Sequence, residues 1–294
     1  MSTQLKTAFS KMHGLGNDFV VMDARACGLA LSRDVVRAIA DRDNPITKGC
    51  DQIMLITAAR QGGDCFAEIW NADGGEVEAC GNGTRAVALF LARQDGVDML
   101  DVETLGGTLH CRVDAERVEV TLPAPRFDWA DIPLADDVGK TNGVVLHDDL
   151  PPAFLVNVGN PHAVIFASKK TRWMASKYGA ELENHALFPD RANINFVQHL
   201  RAFERPTLAI HTWERGAGLT QACGTGACAA AIAAIELGVT RSPEGDLRTE
   251  VDVMPPFNTD RNESDIITVR YVPGDDTFIM RGPAEFEFDG ELVL

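Results

Sequence analysis

The fold is decided by two short stretches, Ala79-Cys80-Gly81-Asn82-Gly83 and Ala222-Cys223-Gly224-Thr225-Gly226, which share the pattern Ala-Cys-Gly-x-Gly. Their cysteines lie 143 positions apart in a chain of 294 residues. The same offset relates Gly16-Asn17 to Gly159-Asn160. A repeat that spans about half the chain predicts two similar halves, each carrying one of these cysteines.

After each stretch comes a segment that is apolar on every side, at residues 86–92 and 227–235. A helix that is apolar all round must be buried all round, so each segment predicts a central helix. The rest of each half contains short runs with strand-like alternation between glycine-rich or acidic turns. The sequence therefore predicts an α/β fold of the α+β type: two pseudosymmetric lobes, each a curved, mostly antiparallel β-sheet or barrel wrapped around a central buried helix.

The predicted boundary between the lobes lies within residues 123–137, which are rich in proline and acidic side chains. This boundary gives an N-terminal lobe of residues 1–124 and a C-terminal lobe of residues 125–281. Two more helices are predicted, one over residues 31–41 with Ser32 as its N-cap and one near residues 173–183. Residues 252–265 contain two prolines and several acidic or amide side chains, which predict an exposed loop.

The charge balance and the apolar segments exclude two kinds of partner. The net charge is −16, whereas a nucleic-acid-binding surface needs clustered basic residues, so no nucleic-acid partner is expected. Residues 1–11 lack the apolar core of a secretion signal. The longest apolar stretch, residues 226–235, is shorter than the roughly 20 residues that cross a bilayer. We therefore expect no membrane partner.

The cysteine pattern indicates a reducing environment. There are seven cysteines, an odd number, and no Cys-x-x-Cys pair occurs. This pattern fits neither a disulfide framework nor a zinc site, so no metal site is expected and the cytoplasm is the simplest location. Cys80 and Cys223 stand apart because of their matched context; the other five are interpreted as small buried hydrophobic residues.

The position of Cys80 and Cys223 in front of helices predicts their chemistry. The first turn of a helix leaves its N–H groups unpaired and carries roughly half a positive charge. Such a site binds a carboxylate and stabilises a thiolate. A thiolate is a base and a thiol an acid near neutral pH, so two cysteines on opposite sides of a shared cleft could move a proton from one face of a carbon to the other.

The chain resembles the diaminopimelate epimerase family, which interconverts LL- and meso-diaminopimelate without pyridoxal phosphate (PLP). The resemblance covers nearly the whole chain in collinear order. It rests on residues 9–19 (FSKMHGLGNDF), 50–52 (CDQ), 71–74 (NADG), 79–83 (ACGNG), 159–162 (GNPH), 191–193 (RAN), 214–218 (ERGAG) and 221–226 (QACGTG). It implies two lobes with a C-terminal strand, residues 282–294, returning to the first lobe. It also implies a cytoplasmic homodimer without a cofactor, acting in lysine and peptidoglycan precursor synthesis.

The resemblance also implies roles for individual residues. Cys80 and Cys223 would be the base and the acid, with pKa values tuned by His162 and Glu214. The diaminopimelate substrate would be held at its reacting end by Gly81, Asn82, Gly224 and Thr225, through their backbone N–H groups, and by Asn17 and Gln52. Its distal carboxylate would be held by Asn71, Asn160, Asn193 and Arg215, where arginine can make a bidentate pair. Glu214 would suit an ammonium group.

Several alternatives remain open from the sequence. The asparagines could serve only to shape turns, Arg215 could be a surface charge, and His162 could be a packed structural histidine. At the level of function, the alternatives are a proline or hydroxyproline epimerase, a dithiol redox protein and a non-catalytic binding lobe. A proline epimerase has no need for a distal carboxylate site, and a redox protein would favour the missing Cys-x-x-Cys pair.

The chain departs from the family pattern at three places. Thr225 stands where serine is common, which a backbone donor tolerates. Leu219 replaces a frequent acidic residue. Residues 251–276 lack the usual Gly-Gly turn and are longer than expected. The longer segment leaves the structure of that local loop open, whereas none of the three departures removes a role that the resemblance implies for a site residue.

Overall fold

The computed structural model describes residues 6–78, 80–256 and 265–293. In these residues the chain forms four helices, which are α1 (Arg33–Ala40), α2 (Gly81–Asp95), α3 (Thr171–Glu183) and α4 (Gly224–Glu236). All four lie where the sequence predicts them, and Ser32 caps α1 by accepting a hydrogen bond from the N–H of Val35. Strands make up most of the remaining regular structure, so the predicted α/β fold class is confirmed.

The chain divides into two compact units, unit 1 (Met1–Thr121 with Gly282–Leu294) and unit 2 (Leu122–Arg281). Unit 1 contains helices α1 and α2. Its strands are β1 (Lys6–Gly14), β2 (Asn17–Asp23), β3 (Gln52–Thr57), β4 (Cys65–Asn71), β5 (Glu76–Val77), β6 (Met99–Thr104), β7 (Gly107–Asp114), most of β8 (Arg117–Pro123) and β18 (Glu285–Val293). The C-terminal strand β18 pairs antiparallel with β1.

Unit 2 contains helices α3 and α4. Its strands are β9 (Asn142–Val144), β10 (Ala153–Asn157), β11 (Pro161–Phe166), β12 (Asn193–Leu200), β13 (Thr207–Glu214), β14 (Gly218–Leu219), β15 (Glu250–Met254), β16 (Ile267–Arg270) and most of β17 (Thr277–Pro283).

The two units repeat one order of strand pairing. In unit 1, β1–β2 is antiparallel, β2–β3 parallel, β3–β4 antiparallel, β4–β6 parallel, and β6–β7–β8 an antiparallel meander. In unit 2 the same alternation runs through β10–β11, β11–β12, β12–β13, β13–β15 and β15–β16–β17. Helices α1 and α3 precede the third strand of each series, and α2 and α4 the fifth. The duplicated sequence motif is therefore part of a duplicated topology.

The central helix of each unit is enclosed by its strands. In α4 every residue of the stretch 226–235 is buried, as the apolar composition predicts. Helix α4 contacts strands β10, β11, β12, β13, β15 and β16, and α2 contacts the corresponding strands β1, β2, β3, β4, β6 and β7. No helix in the described part of the chain is long and apolar enough to cross a membrane.

The predicted loop over residues 252–265 is wrong at its start. Strand β15 runs to Met254, with Val251 and Val253 buried and Asp252 between them in an ion pair with Arg205. The sequence of β15 alternates acidic and apolar residues, as a strand does, but the two prolines that directly follow it favour a loop. Residues 257–264 lie outside the described part of the chain.

Candidate active site

Cys80 is the N-cap residue of α2. Its backbone is extended (φ −147°, ψ 109°), and its Sγ accepts a hydrogen bond from the N–H of Gly83 at 3.3 Å. This is the geometry in which serine or threonine usually caps a helix, with sulfur replacing oxygen. A Cβ atom at position 83 would lie 2.4 Å from the Cε of Met54, so a larger residue there would displace the end of the Met54 side chain.

Cys223 caps α4 in the same way. Its backbone has φ −135° and ψ 109°, and its Sγ accepts from the N–H of Gly226 at 3.3 Å. A Cβ atom at position 226 would lie 2.6 Å from the Oδ1 of Asn195 and 2.9 Å from the Oγ1 of Thr212. The last glycine of each motif therefore makes room for side chains packed below it, which the sequence did not indicate.

The first turns of the two helices offer backbone donors. A helix leaves its first N–H groups without intrahelical partners. The sulfur takes the third of them in each unit. The N–H groups of Gly81 and Asn82 in unit 1, and of Gly224 and Thr225 in unit 2, are therefore suited to bind an anion beside the sulfur.

In unit 1 a chain of side-chain hydrogen bonds supports the Cys80 turn. Asn82 donates to the Oδ1 of Asn17 at 2.7 Å, and its own Oδ1 accepts from the fully buried Arg85 at 2.7 Å. Asn17 in turn donates to Asp51 at 3.4 Å. The predicted residues Asn17 and Asn82 are thus brought together.

Gln52 and Asn71 form a second pair in unit 1. They face each other across strands β3 and β4, and Gln52 donates to the Oδ1 of Asn71 at 2.9 Å. The resemblance assigns these residues to opposite ends of the substrate, yet within this unit they are neighbours. A single ligand group beside Gln52 would therefore also lie near Asn71.

In unit 2, Asn160 and Thr225 repeat the pair formed by Asn17 and Asn82. Asn160 donates to the Oγ1 of Thr225 at 3.4 Å. Both partners lie 143 positions after their unit 1 counterparts, so the sequence offset predicts a contact as well as a motif. The Thr225 hydroxyl lies 3.5 Å from the Sγ of Cys223.

His162 lies behind Asn160 and is completely buried. Burial, and then the nearby cation of Arg215, lower the pKa of His162 to about 3. The imidazole is therefore neutral at physiological pH. Its Nε2 lies 2.8 Å from the Oδ1 of Asn160, and hydrogen bonds through Asn160 and Thr225 connect it to the sulfur of Cys223.

Glu214 is the ionisable neighbour of Cys223. Burial raises the pKa of Glu214, opposed by hydrogen bonds from the Thr220 hydroxyl at 2.5 Å and from the Cys223 thiol. Burial, and then the charge of Glu214, raise the pKa of Cys223 well above its ordinary value, opposed by Thr225 and the Gly226 N–H. Cys223 is therefore a thiol at rest, and Glu214 accepts its proton in a hydrogen bond.

Asn193 and Arg215 lie together at the end of strand β13. The Oδ1 of Asn193 accepts from the N–H of Arg215 at 3.0 Å, and its Nδ2 donates to the carbonyl of Pro161 at 3.1 Å. The guanidinium group of Arg215 donates to the carbonyl of Asp190 at 3.2 Å. Of the proposed distal group, Asn160, Asn193 and Arg215 lie in unit 2 and Asn71 in unit 1.

Glu183 is a buried carboxylate that the sequence analysis missed. It accepts from the indole N–H of Trp213 at 2.8 Å, from the N–H of Gly216 at 2.8 Å and from Arg191 at 3.2 Å. These donors lower the pKa of Glu183 against the effect of burial. Because Trp213 and Gly216 flank Arg215, Glu183 holds the turn that carries the proposed distal site.

Asn195 and Arg85 were also missed. Asn195 is two positions after Asn193 on β12, and Arg85 is five positions after Cys80 on α2. For Asn195 the available signal was a polar residue between the apolar Ile194 and Phe196. Among the described residues, no group of three or more His, Cys, Asp or Glu side chains is arranged to hold a metal ion.

Sequence comparison places these features in one family. A model of the diaminopimelate epimerase family matches residues 9–126 and 154–253. The chain is 43% identical to the diaminopimelate epimerase of Sphingopyxis alaskensis over 96% of each chain. It is 40% identical to that of Phenylobacterium zucineum, over 99% of this chain and 100% of the relative.

Solved structures with a similar fold are more distant in sequence. A PhzF-family phenazine biosynthesis protein from Enterococcus faecalis is 14% identical with a TM-score of 0.66, covering 99% of this chain and 100% of that protein. A hydroxyproline epimerase from Agrobacterium vitis, solved with bound trans-4-hydroxy-L-proline, is 13% identical with a TM-score of 0.63, covering 100% of this chain and 94% of that protein. At these identities the likeness shows the fold alone, and it agrees with the predicted fold class.

Proposed function

Because this chain belongs to the diaminopimelate epimerase family and is therefore an amino-acid isomerase, we propose that it interconverts LL- and meso-diaminopimelate with Cys80 and Cys223 as its two proton-transfer groups. The observation that carries this proposal is the matched capping geometry. Each cysteine caps the enclosed helix of its unit with nearly the same backbone angles and the same 3.3 Å bond to the sulfur.

In the proposed step, one cysteine is a thiolate and the other a thiol. The thiolate removes the α-proton, so the C–H bond breaks and an S–H bond forms. The thiol then delivers its own proton to the opposite face of the carbon and is left as a thiolate. We assign Cys223 as the resting acid because burial and Glu214 keep its sulfur protonated; for the reverse reaction the roles exchange.

Charge that develops on the α-carboxylate as the proton leaves must be stabilised. We propose that the N–H groups of Gly81, Asn82, Gly224 and Thr225 bind this carboxylate, together with the side chains of Asn17 and Gln52. Each well-oriented donor of this kind contributes roughly 3 kcal/mol to transition-state stabilisation. A positioned acid or base adds about 10²- to 10⁴-fold.

The distal end of the substrate would be held by Arg215, Asn193, Asn160 and Asn71. Arg215 supplies a charge that complements the second carboxylate of diaminopimelate. Glu214 would accept a hydrogen bond from a substrate ammonium group in addition to its contact with Cys223. From the family resemblance we also propose the cytoplasm as the location, a homodimer as the assembly, and lysine and peptidoglycan precursor synthesis as the pathway.

The second candidate function is epimerisation of proline or hydroxyproline. The fold is shared with a hydroxyproline epimerase, but at 13% identity this likeness supports the architecture only. Proline has no second carboxylate, so it would leave Arg215 and the Asn193 amide without a ligand. The clamp that Glu183 forms around the Arg215 turn therefore favours a dicarboxylic substrate.

The proposal is tested by incubating the purified protein with LL-diaminopimelate, without added PLP or metal, and separating the stereoisomers by chiral chromatography. We expect meso-diaminopimelate to form until the two isomers reach equilibrium. L-Proline under the same conditions should remain unchanged. Turnover of proline without turnover of diaminopimelate would overturn the assignment in favour of the second candidate.

A further inference from the structure

Asn195 lies at the start of a line of buried and half-buried polar side chains in unit 2. It is fully buried on strand β12, and its partners are His162 and the carbonyl of Ala163 on strand β11, and Thr212 on strand β13. The sequence resemblance assigns it no role. Buried polar groups of this kind are kept when they are fully hydrogen-bonded, and each bond then constrains its neighbour.

The amide orientation of Asn195 is fixed by a backbone group. The carbonyl of Ala163 can only accept, and it lies 3.2 Å from the Nδ2 of Asn195. The same Nδ2 lies 3.0 Å from the Nδ1 of His162, to which its second proton is directed. The Oδ1 of Asn195 accepts from the Thr212 hydroxyl at 2.9 Å.

This orientation determines where the proton of His162 lies. Because Asn195 donates to Nδ1, a neutral imidazole must carry its proton on Nε2. The Nε2–H then donates to the Oδ1 of Asn160 at 2.8 Å. A buried ring beside the cation of Arg215 has no tendency to take up a second proton.

The hydrogen bonds continue from Asn160 to the sulfur of Cys223 with the same direction of donation. With its Oδ1 occupied by His162, Asn160 turns its Nδ2 toward the Oγ1 of Thr225, at 3.4 Å. The Thr225 oxygen therefore accepts from Asn160, and its own proton points to the Sγ of Cys223, 3.5 Å away. Every link runs from donor to acceptor toward the cysteine.

We propose that Asn195 is a positioning residue that fixes the Nε2–H tautomer of His162 and so directs the hydroxyl proton of Thr225 onto the sulfur of Cys223. This inference rests on the proposed function, in which Cys223 alternates between thiol and thiolate. A donor held toward sulfur stabilises the thiolate that forms when Cys223 gives up its proton.

Other groups also act on Cys223. Glu214 faces the sulfur from strand β13 and favours the thiol, whereas the N–H of Gly226 favours the thiolate. Arg215 carries the charge near His162. Thr225 is thus a side-chain donor that opposes the effect of Glu214 on the pKa of Cys223. The side chains of Asn160, His162 and Asn195 keep the Thr225 hydroxyl proton directed toward the sulfur.

The tautomer is tested by the imidazole nitrogen chemical shifts of histidine-labelled protein, with the His162 signals assigned from a His162→Gln variant. We expect neutral His162 with its proton on Nε2 from about pH 5 to pH 8. Asn195→Asp, which has the same shape but only acceptors, should place a proton on Nδ1. Thr212→Val removes a neighbouring buried hydrogen bond and should leave the tautomer unchanged. An Nδ1–H tautomer or an imidazolium ion in the unaltered protein would overturn the proposal.

The effect on sulfur is tested without substrate. The thiolate fraction of Cys223 is obtained at fixed pH between about 7 and 9 from the rate at which iodoacetamide alkylates Cys223, measured by mass spectrometry of the peptide that contains it. Thr225→Val should lower this rate about 10- to 100-fold, as a rise of one to two pH units in the pKa of Cys223 requires, because a donor to the charged form is lost. Thr225→Ser should restore it. If the pKa of Cys223 is unchanged in Thr225→Val, the inference is wrong even if the protein epimerises diaminopimelate. If the His162 tautomer and the Cys223 pKa both behave as expected but the protein does not epimerise diaminopimelate, the proposed function is wrong instead.

Discussion

Cys223→Ser is expected to lower kcat for diaminopimelate by about 10³-fold or more in both directions, with the protein still folded. A hydroxyl at this position is too weak an acid to exchange a proton with carbon as a thiol does, and a positioned acid or base contributes about 10²- to 10⁴-fold. Serine still caps α4, because its oxygen can accept the hydrogen bond that Sγ receives from Gly226. Cys80→Ser should behave alike. The measurement is the initial rate from each isomer, with the thermal unfolding midpoint as a check on folding.

Cys228→Ala is the matched control for this substitution. Cys228 is fully buried on the same helix, five residues after Cys223, and no chemical role is proposed for it. Its replacement should cost a little stability and leave kcat nearly unchanged. If either Cys80→Ser or Cys223→Ser retained near-normal rates in both directions, the two-thiol mechanism would be wrong.

Arg215→Ala should reduce kcat/KM for diaminopimelate by roughly a hundredfold, because a charge-assisted pair with the distal carboxylate is lost. Arg215→Lys should recover part of this loss, since it keeps the charge but not the planar donor pair. The unfolding midpoint should change little, because the guanidinium group makes one hydrogen bond in the described structure, to the carbonyl of Asp190. The measurement is the rate over a range of substrate concentrations.

Lysine, used as an alternative substrate, distinguishes loss of the distal contact in Arg215→Ala from a general loss of activity. Lysine is diaminopimelate without its second carboxylate, so it cannot use Arg215 in the proposed way. The unaltered protein should prefer diaminopimelate strongly, and Arg215→Ala should narrow that preference. Arg201→Ala removes an exposed arginine elsewhere in unit 2 and should leave both rates unchanged. Equal losses for both substrates in Arg215→Ala would show that Arg215 does not contact the distal carboxylate.

Periodicity and capping predicted the helices well because their signals are local. Ser32 caps α1 as expected, and the apolar stretch after Cys223 is buried throughout. Helix α2 starts at Gly81, directly after Cys80, which serves as its cap. Cysteine is not among the usual capping residues, so the apolar segment at residues 86–92 predicted the helix but not its first turn.

The duplicated offset predicted more of the site than any single motif. It relates the contact between Asn17 and Asn82 to the contact between Asn160 and Thr225. Glu183 could not be found in this way, because the residue 143 positions before it is Ala40. Glu183 acts through the packing of α3 on β13, which is not written in a local pattern.

The central claim is that two thiols act on opposite faces of one carbon, and deuterium labelling tests it most directly. The protein is placed in deuterium oxide with one pure isomer of diaminopimelate, and both isomers are recovered at low conversion. If one cysteine removes the proton and the other supplies a solvent-derived one, deuterium should appear in the product isomer and be nearly absent from the remaining substrate. Deuterium accumulating in the recovered substrate as fast as in the product would contradict the account.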